Sequence, residues 1–241
     1  KRIVQIELAM ERLRWLPELT SGRSIIVNIP AFQLWAIDDI SHIDENNLNM
    51  RVVVGKAVKN QTPVLMAQMS YIEFSPYWNV PKNILKDEIL PKLSSKPSYL
   101  SSQNMEIIPS NNSSAAALSV NSDSIEKLKK GIYRVRQKPG NKNSLGKVKF
   151  IFPNKDDVYL HDTPANSLFA KSRRDFSHGC VRVENPQLLA EFALKNQGKW
   201  DTDSIKKAMQ NPTNHRVNLD QPIPVLFFYT TAFVDQNNDV A

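Results

Sequence analysis

The chain has 241 residues, 41% apolar and 23% charged, which is enough to bury a substantial core in one large domain with or without an insertion. Its net charge of +7 favours an anionic partner, but the basic residues are scattered, with short runs at Lys129-Lys130 and Arg173-Arg174. No basic stripe interleaved with aromatics argues for nucleic acid. A single cysteine excludes an intramolecular disulfide and a multi-thiolate metal site.

Ile3, Ile6, Met10 and Leu13 recur at helical spacing and predict an amphipathic helix packed on the domain that follows, stopped by Pro17. The chain begins at Lys1, and the expectation is a fragment whose export signal or anchor lies upstream. From residue 24 the period changes. Ile25-Ile26-Val27, the alternation at Phe32, Leu34 and Ala36, and runs over 50–54 and 64–74 predict mainly antiparallel strands.

At 75–81 the character shifts, prolines recur, and Ser and Asn become dense. Residues 76–130 therefore read as an inserted subdomain, with helices near 83–90 and 123–130 and with Tyr77, Trp78 and Tyr99 packing a small core or covering a cleft. Strand patterning resumes at 132–136, 148–152 and 158–160. Helices follow at 186–196, with Asn185 as cap and Pro186 at its first position, and at 203–210. A last apolar strand spans 224–232. The domain reading is 1–23 as helix and linker, 24–75 plus 131–241 as the main domain, and 76–130 as the insertion.

The chemistry concentrates in two segments. Cys180 lies in Ser177-His178-Gly179-Cys180-Val181-Arg182, and His161-Asp162-Thr163 ends a predicted strand 19 positions earlier. A lone cysteine is often only a small buried hydrophobe, but here two histidines, a bend-permitting glycine and an arginine surround it. A thiol becomes a strong nucleophile beside a base or positive field, and a glycine bend can aim backbone N–H groups at an oxyanion.

These residues resemble the signature of the L,D-transpeptidase (YkuD-type) catalytic domain. Asn143-Ser144-Leu145-Gly146, Lys149-Phe150 and Tyr159-Leu160-His161 are similar to the strands preceding that signature. Tyr77-Trp78-Asn79-Val80-Pro81 with Ile89-Leu90-Pro91-Lys92 is similar to the capping insertion of the large periplasmic Gram-negative members. The similarity spans residues 24 to Asp235.

The resemblance implies a mainly β, mixed β-sandwich (α+β) with peripheral helices and an inserted, helix-containing capping subdomain. It implies that Cys180 attacks a peptidoglycan tetrapeptide stem, releases D-alanine, and passes the acyl group to the amine of meso-diaminopimelate, crosslinking two stems. His161 would be the base, oriented by the carbonyl of Asp162, and His178, Gly179 and Cys180 would supply the oxyanion site. Arg182 would anchor a substrate carboxylate or hold the loop, and Ser177, Tyr159, Asn143, Tyr133 and Trp78 would contact substrate, with Arg136 a further candidate at the acceptor side. The expected setting is periplasmic, without cofactor or catalytic metal, with acylation by carbapenem-type β-lactams and membrane contact only through an upstream anchor. Two other readings stay open: a cysteine amidase or L,D-carboxypeptidase passing the same thioester to water, and a non-catalytic binding module.

Overall fold

The computed structural model describes residues 2–16, 22–41 and 47–233; Pro17 and Asp235 lie outside them. Twelve strands are described: β1 (Ser24–Asn28), β2 (Gln33–Ile37), β3 (Leu48–Gly55), β4 (Leu65–Phe74), β5 (Trp78–Asn79), β6 (Met105–Pro109), β7 (Tyr133–Gln137), β8 (Val148–Ile151), β9 (Leu160–His161), β10 (Asp175–Ser177), β11 (Val181–Val183) and β12 (His215–Phe228). The main sheet runs β10-β3-β11-β9-β8-β4-β12-β1-β2, and β2 also pairs with β3. That last pairing closes the sheet on itself, so its walls face one another across a single core. Antiparallel pairs dominate, with β1–β12, β9–β11 and β3–β10 parallel. The architecture is mainly β with peripheral helices.

Alternation explains the core. Leu34 and Ala36 of β2, Ile72 and Phe74 of β4, and Val148 and Phe150 of β8 point inward and are essentially solvent-free. Helices Pro186–Leu194 and Thr202–Gln210 cover one side through Leu189, Phe192 and Ile205. Trp200 stacks on Phe74 at 5.5 Å. Asp201 caps the second helix by accepting the Ser204 N–H at 2.8 Å.

Three sequence expectations shift. Helix Arg2–Arg14 forms, but its apolar stripe is not packed: Ile3, Met10 and Leu13 are exposed, and only Ala9 is buried. The helix touches the domain through Gln5, which donates to the Thr231 carbonyl, and through Arg12 over the Tyr229 ring. The last strand spans 215–228 rather than 224–232. A register irregularity between Asn218 and Ile223 takes Pro222 out of the ladder, which lets a proline-containing segment stay in a sheet. The strand read at 132–136 does not join the main sheet. As β7 it pairs with β5 and with β6, a strand the sequence reading missed.

That three-stranded sheet and its helices enclose a second core, in which Leu93, Leu100, Ile107 and Val135 are buried. Each such side chain contributes about 1.5–3 kcal/mol on burial, so this region has packing of its own. The helical run over 82–95 widens to a π-turn at Leu85–Ile89, where Leu90 N–H reaches the Leu85 carbonyl. The cause is Pro91, which has no N–H to give and whose ring crowds the preceding turn. Helix Ser122–Lys129 starts at a capping box between Asn121 and Ser124.

Asn143 joins the two cores. The resemblance places it among substrate contacts, but it is fully buried and its amide is spent internally. Nδ2 donates to the carbonyls of Pro76 (2.9 Å) and Lys138 (3.0 Å), and Oδ1 accepts the Leu145 N–H (2.8 Å). It is a brace at the root of the insertion, with no group left for a ligand. Asn143→Ala strands those buried partners and is expected to cost about 2–3 kcal/mol, read from the shift of the urea unfolding midpoint.

Candidate active site

Cys180 sits in the loop between β10 and β11, both of which pair with β3. Two buried hydroxyls shape that loop. Ser177 Oγ donates to the Cys180 carbonyl at 2.5 Å and accepts the Gly179 N–H at 3.2 Å. Thr62 Oγ1 accepts the Gly55 N–H at 2.9 Å and donates to the Gly179 carbonyl at 2.7 Å. Gly179 adopts φ +120°, which a side chain would disfavour. Ser177 is thus a loop-former with 2% exposure rather than a substrate contact. Among the described residues, the backbone N–H groups of His178 and Cys180 make no hydrogen bond to protein, which leaves two donors for an oxyanion.

His161 reaches the same place through β9. The parallel β9–β11 ladder sets Leu160 against Val181 and His161 against Arg182, and the Val181 N–H donates to the Tyr159 carbonyl at 3.1 Å. His161 Nδ1 lies 2.5 Å from the Asp162 carbonyl. A carbonyl only accepts, so Nδ1 carries the proton and Nε2 keeps its lone pair. Burial, then the Arg182 charge, lower the imidazole pKa to about 3, against the carbonyl of Asp162 and with a smaller push from Lys149. The ring is therefore a neutral base at neutral pH.

The thiol is the matching acid. Burial pushes its pKa up, while hydrogen bonds from Tyr159 and the Lys149 charge pull it down. Its S–H donates toward the Asp157 carbonyl at 3.8 Å. Tyr159 lies edge-on to the His161 ring at 5.7 Å. At rest both groups are neutral, a thiol and an imidazole.

The Asp162 carboxylate does different work from its carbonyl. Its oxygens accept the N–H groups of Lys147 (2.7 Å) and Thr163 (2.6 Å), pinning the turn before β8. That turn requires Gly146 (φ +61°), because a Cβ there would stand 2.2 Å from Asp162 Oδ2. Burial raises the carboxyl pKa, and the two backbone donors oppose the rise.

The His178 side chain departs from its expected role. Nε2 lies 2.9 Å from Glu88 Oε1 on the π-turn of the insertion, so the ring faces the insertion and only its backbone N–H remains for an oxyanion. The Arg182 side chain forms no hydrogen bond or ion pair among the described residues, and its Nε is buried without an acceptor. Burial lowers its pKa, and the Cys180 charge raises it. Such a guanidinium matches a carboxylate. Tyr133 and Trp78 line the same groove as Cys180, a cleft of about 1620 Å³ between the main sheet and the insertion. Arg136 is committed elsewhere, pairing with Glu106 at 2.6 Å and covering the Tyr77 ring at 4.5 Å.

Sequence reasoning missed Thr62, Glu88 and Asp157 and gave Lys149 no role. Thr62 is 117 positions from Gly179, and nothing local marks it.

Thr62→Val keeps the shape but leaves the Gly55 N–H and Gly179 carbonyl unpaired. It is expected to cost about 1–3 kcal/mol of stability in denaturant unfolding and to slow modification of Cys180 by a thiol reagent. His161 gives a pH signature. Its folded pKa of about 3 lies below the unfolded value of about 6.5, so the unfolded chain takes up more protons between them. Its contribution is complete above about pH 6.5 and falls as pH drops, by up to about 1.4 kcal/mol per pH unit. Unfolding curves between about pH 6.5 and 5 are expected to show a smaller slope in His161→Gln.

With this geometry in place, the comparisons with known proteins identify the family. The L,D-transpeptidase catalytic domain (YkuD) model matches residues 22–204, which includes every residue of the site. A Haemophilus influenzae protein provisionally named as an L,D-transpeptidase is 35% identical over 237 residues, 97% of this chain. The chain spans 46% of that relative's length. Among solved structures, an L,D-transpeptidase from Mycobacterium smegmatis is similar over 86% of this chain and 58% of its own, at 13% identity and a TM-score of 0.37. L,D-transpeptidase 3 from Mycobacterium tuberculosis, in complex with a faropenem-derived adduct, is similar over 86% and 60%, at 13% identity and a TM-score of 0.37. The extent of the family match and the 35% identity to a relative along almost the whole chain show that this chain belongs to the L,D-transpeptidase (YkuD) catalytic-domain family.

Proposed function

We propose that the chain crosslinks peptidoglycan stem peptides in the periplasm by acyl transfer through Cys180. The supporting observation is the freed Nε2 of His161, fixed by Nδ1–H donation to the Asp162 carbonyl, in a chain of this family. The thiol attacks the carbonyl of the third residue of a tetrapeptide stem, and Nε2 takes its proton. Collapse of the tetrahedral intermediate breaks the C–N bond, and D-alanine leaves with that proton. The side-chain amine of meso-diaminopimelate on a second stem then attacks the thioester. Its proton passes to His161 and on to the departing sulfur, which regenerates the thiol. The N–H groups of His178 and Cys180 would hold the oxyanion in both steps, and Arg182 a substrate carboxylate.

Charge and shape agree with this substrate. The net charge of +7 attracts carboxylate-rich stems, and Lys82, Lys86, Lys129 and Lys130 of the insertion border the groove. The insertion would act as a cap that excludes water from the thioester, with Glu88 on His178 as its contact with the catalytic loop.

A tetrapeptide stem supplied with an amine acceptor is expected to give crosslinked product, and Cys180→Ala to lose roughly ten-thousandfold or more of that rate. Intact-mass measurement should show one β-lactam adduct after incubation with a carbapenem and none on Cys180→Ala. Product formation that ignores the acceptor and yields only tripeptide would replace transfer with hydrolysis; no adduct and no turnover would leave a binding module. Glu88→Gln loosens the cap contact and is expected to raise the ratio of hydrolysed to transferred product several-fold while leaving the β-lactam adduct intact, which chromatography of the two products reads directly.

A further inference from the structure

We propose that Lys149 is a positioning residue for this reaction, its ammonium held between Glu73 and the Tyr159 ring so that a fixed positive charge stands beside Cys180 and favours the thiolate. The inference rests on the cysteine chemistry above but needs no particular peptide substrate. One backbone pairing and two side-chain contacts place the ammonium. Lys149 lies opposite His161 across the antiparallel β8–β9 pair. Its Nζ is 3.2 Å from Glu73 Oε2, with the two side chains only 17% and 19% exposed. It also stands 5.1 Å from the centroid of the Tyr159 ring, which lines the groove with Cys180. Lys149 and Cys180 line the same groove.

A cation so placed acts twice in one direction. It stabilises negative charge on sulfur, and it disfavours a proton on His161, keeping that imidazole ready to accept one. Glu73 stands one strand further from the cysteine loop, on β4 opposite Lys149, where Asn214 also donates to it at 2.8 Å. Its role is to fix the lysine, and a buried ion pair specifies position better than it adds stability. The other charged or titratable groups around Cys180 are Asp157 and Tyr159 just before β9, His161 on β9, Arg182 on β11, and His178 of its own loop with Glu88 of the insertion. Asp157 opposes the thiolate, so Lys149 and Arg182 are the cations that offset both it and burial.

Cys180 is the sole cysteine, so its alkylation by iodoacetamide can be followed by intact mass against pH without interference. In Lys149→Met the midpoint of the alkylation profile is expected to move up by about one pH unit, and Lys149→Arg is expected to restore it to near the native value. Glu73→Gln/Lys149→Met removes the buried carboxylate along with the lysine, should follow Lys149→Met, and stands in for it if the single variant does not fold. A native midpoint in folded Lys149→Met or in the double variant overturns the proposal. So does failure of Lys149→Arg to restore the midpoint, because charge would then not be the cause. Because alkylation requires no stem peptide, a failed crosslinking assay leaves this result unaffected, and the reverse also holds.

Discussion

The parallel pairing of β9 with β11 is the constraint on which the site depends. It sets His161 against Arg182 and brings the loop carrying Cys180 to the strand carrying the base. His161 and Arg182 lie on neighbouring strands of one sheet, and Cys180 sits in the loop that leads directly into the second of them. Everything between them, from Thr163 to Phe176, loops out and returns, and β10 joins the end of β3 before the chain turns into the cysteine loop. The Ser177 and Thr62 hydroxyls then fix that loop from the buried side, leaving its amide donors toward the groove.

Burial in such a sheet has an electrostatic consequence. Taking an imidazole out of water beside a guanidinium makes protonation costly, and taking a thiol out of water makes deprotonation costly. Both groups are consequently neutral at rest. Cations at Arg182 and Lys149 offset the cost of the negative sulfur. The sign of each shift follows from position: the cations favour the anion on sulfur and oppose the imidazolium.

Residues adjacent in the chain were the ones most legible in the sequence. His161, Asp162, Gly179 and Cys180 stand together as a local pattern, and the structure brings them to one end of the sheet. The start of helix Pro186–Leu194 was readable from its first-turn proline, although Asn185 stands at the cap position without a side-chain capping hydrogen bond. Partners brought in from a distance were not readable. Thr62 lies in a polar loop like any other, and Glu88 is one acidic residue on an exposed helical face. Asn143 shows the converse: its neighbours match a catalytic-domain pattern, but only the fold reveals that its amide is spent on Pro76 and Lys138. The N-terminal helix shows that an apolar stripe predicts a helix more securely than what that helix packs against.

The second core explains why the groove has two different walls. The main sheet supplies the reacting groups from strand ends, where backbone positions are fixed by ladders on both sides. The insertion supplies Trp78, Tyr133 and several lysines from a smaller unit, rooted at Asn143 and touching the catalytic loop through Glu88 and His178. That last contact is half exposed on the carboxylate side, and a solvent-screened pair of this kind contributes little to stability. A contact that weak parts more readily than the buried hydrogen bonds at the root of the insertion. The buried Asn143 hydrogen bonds hold the root of the insertion, and the weak Glu88–His178 pair leaves its far edge free to yield.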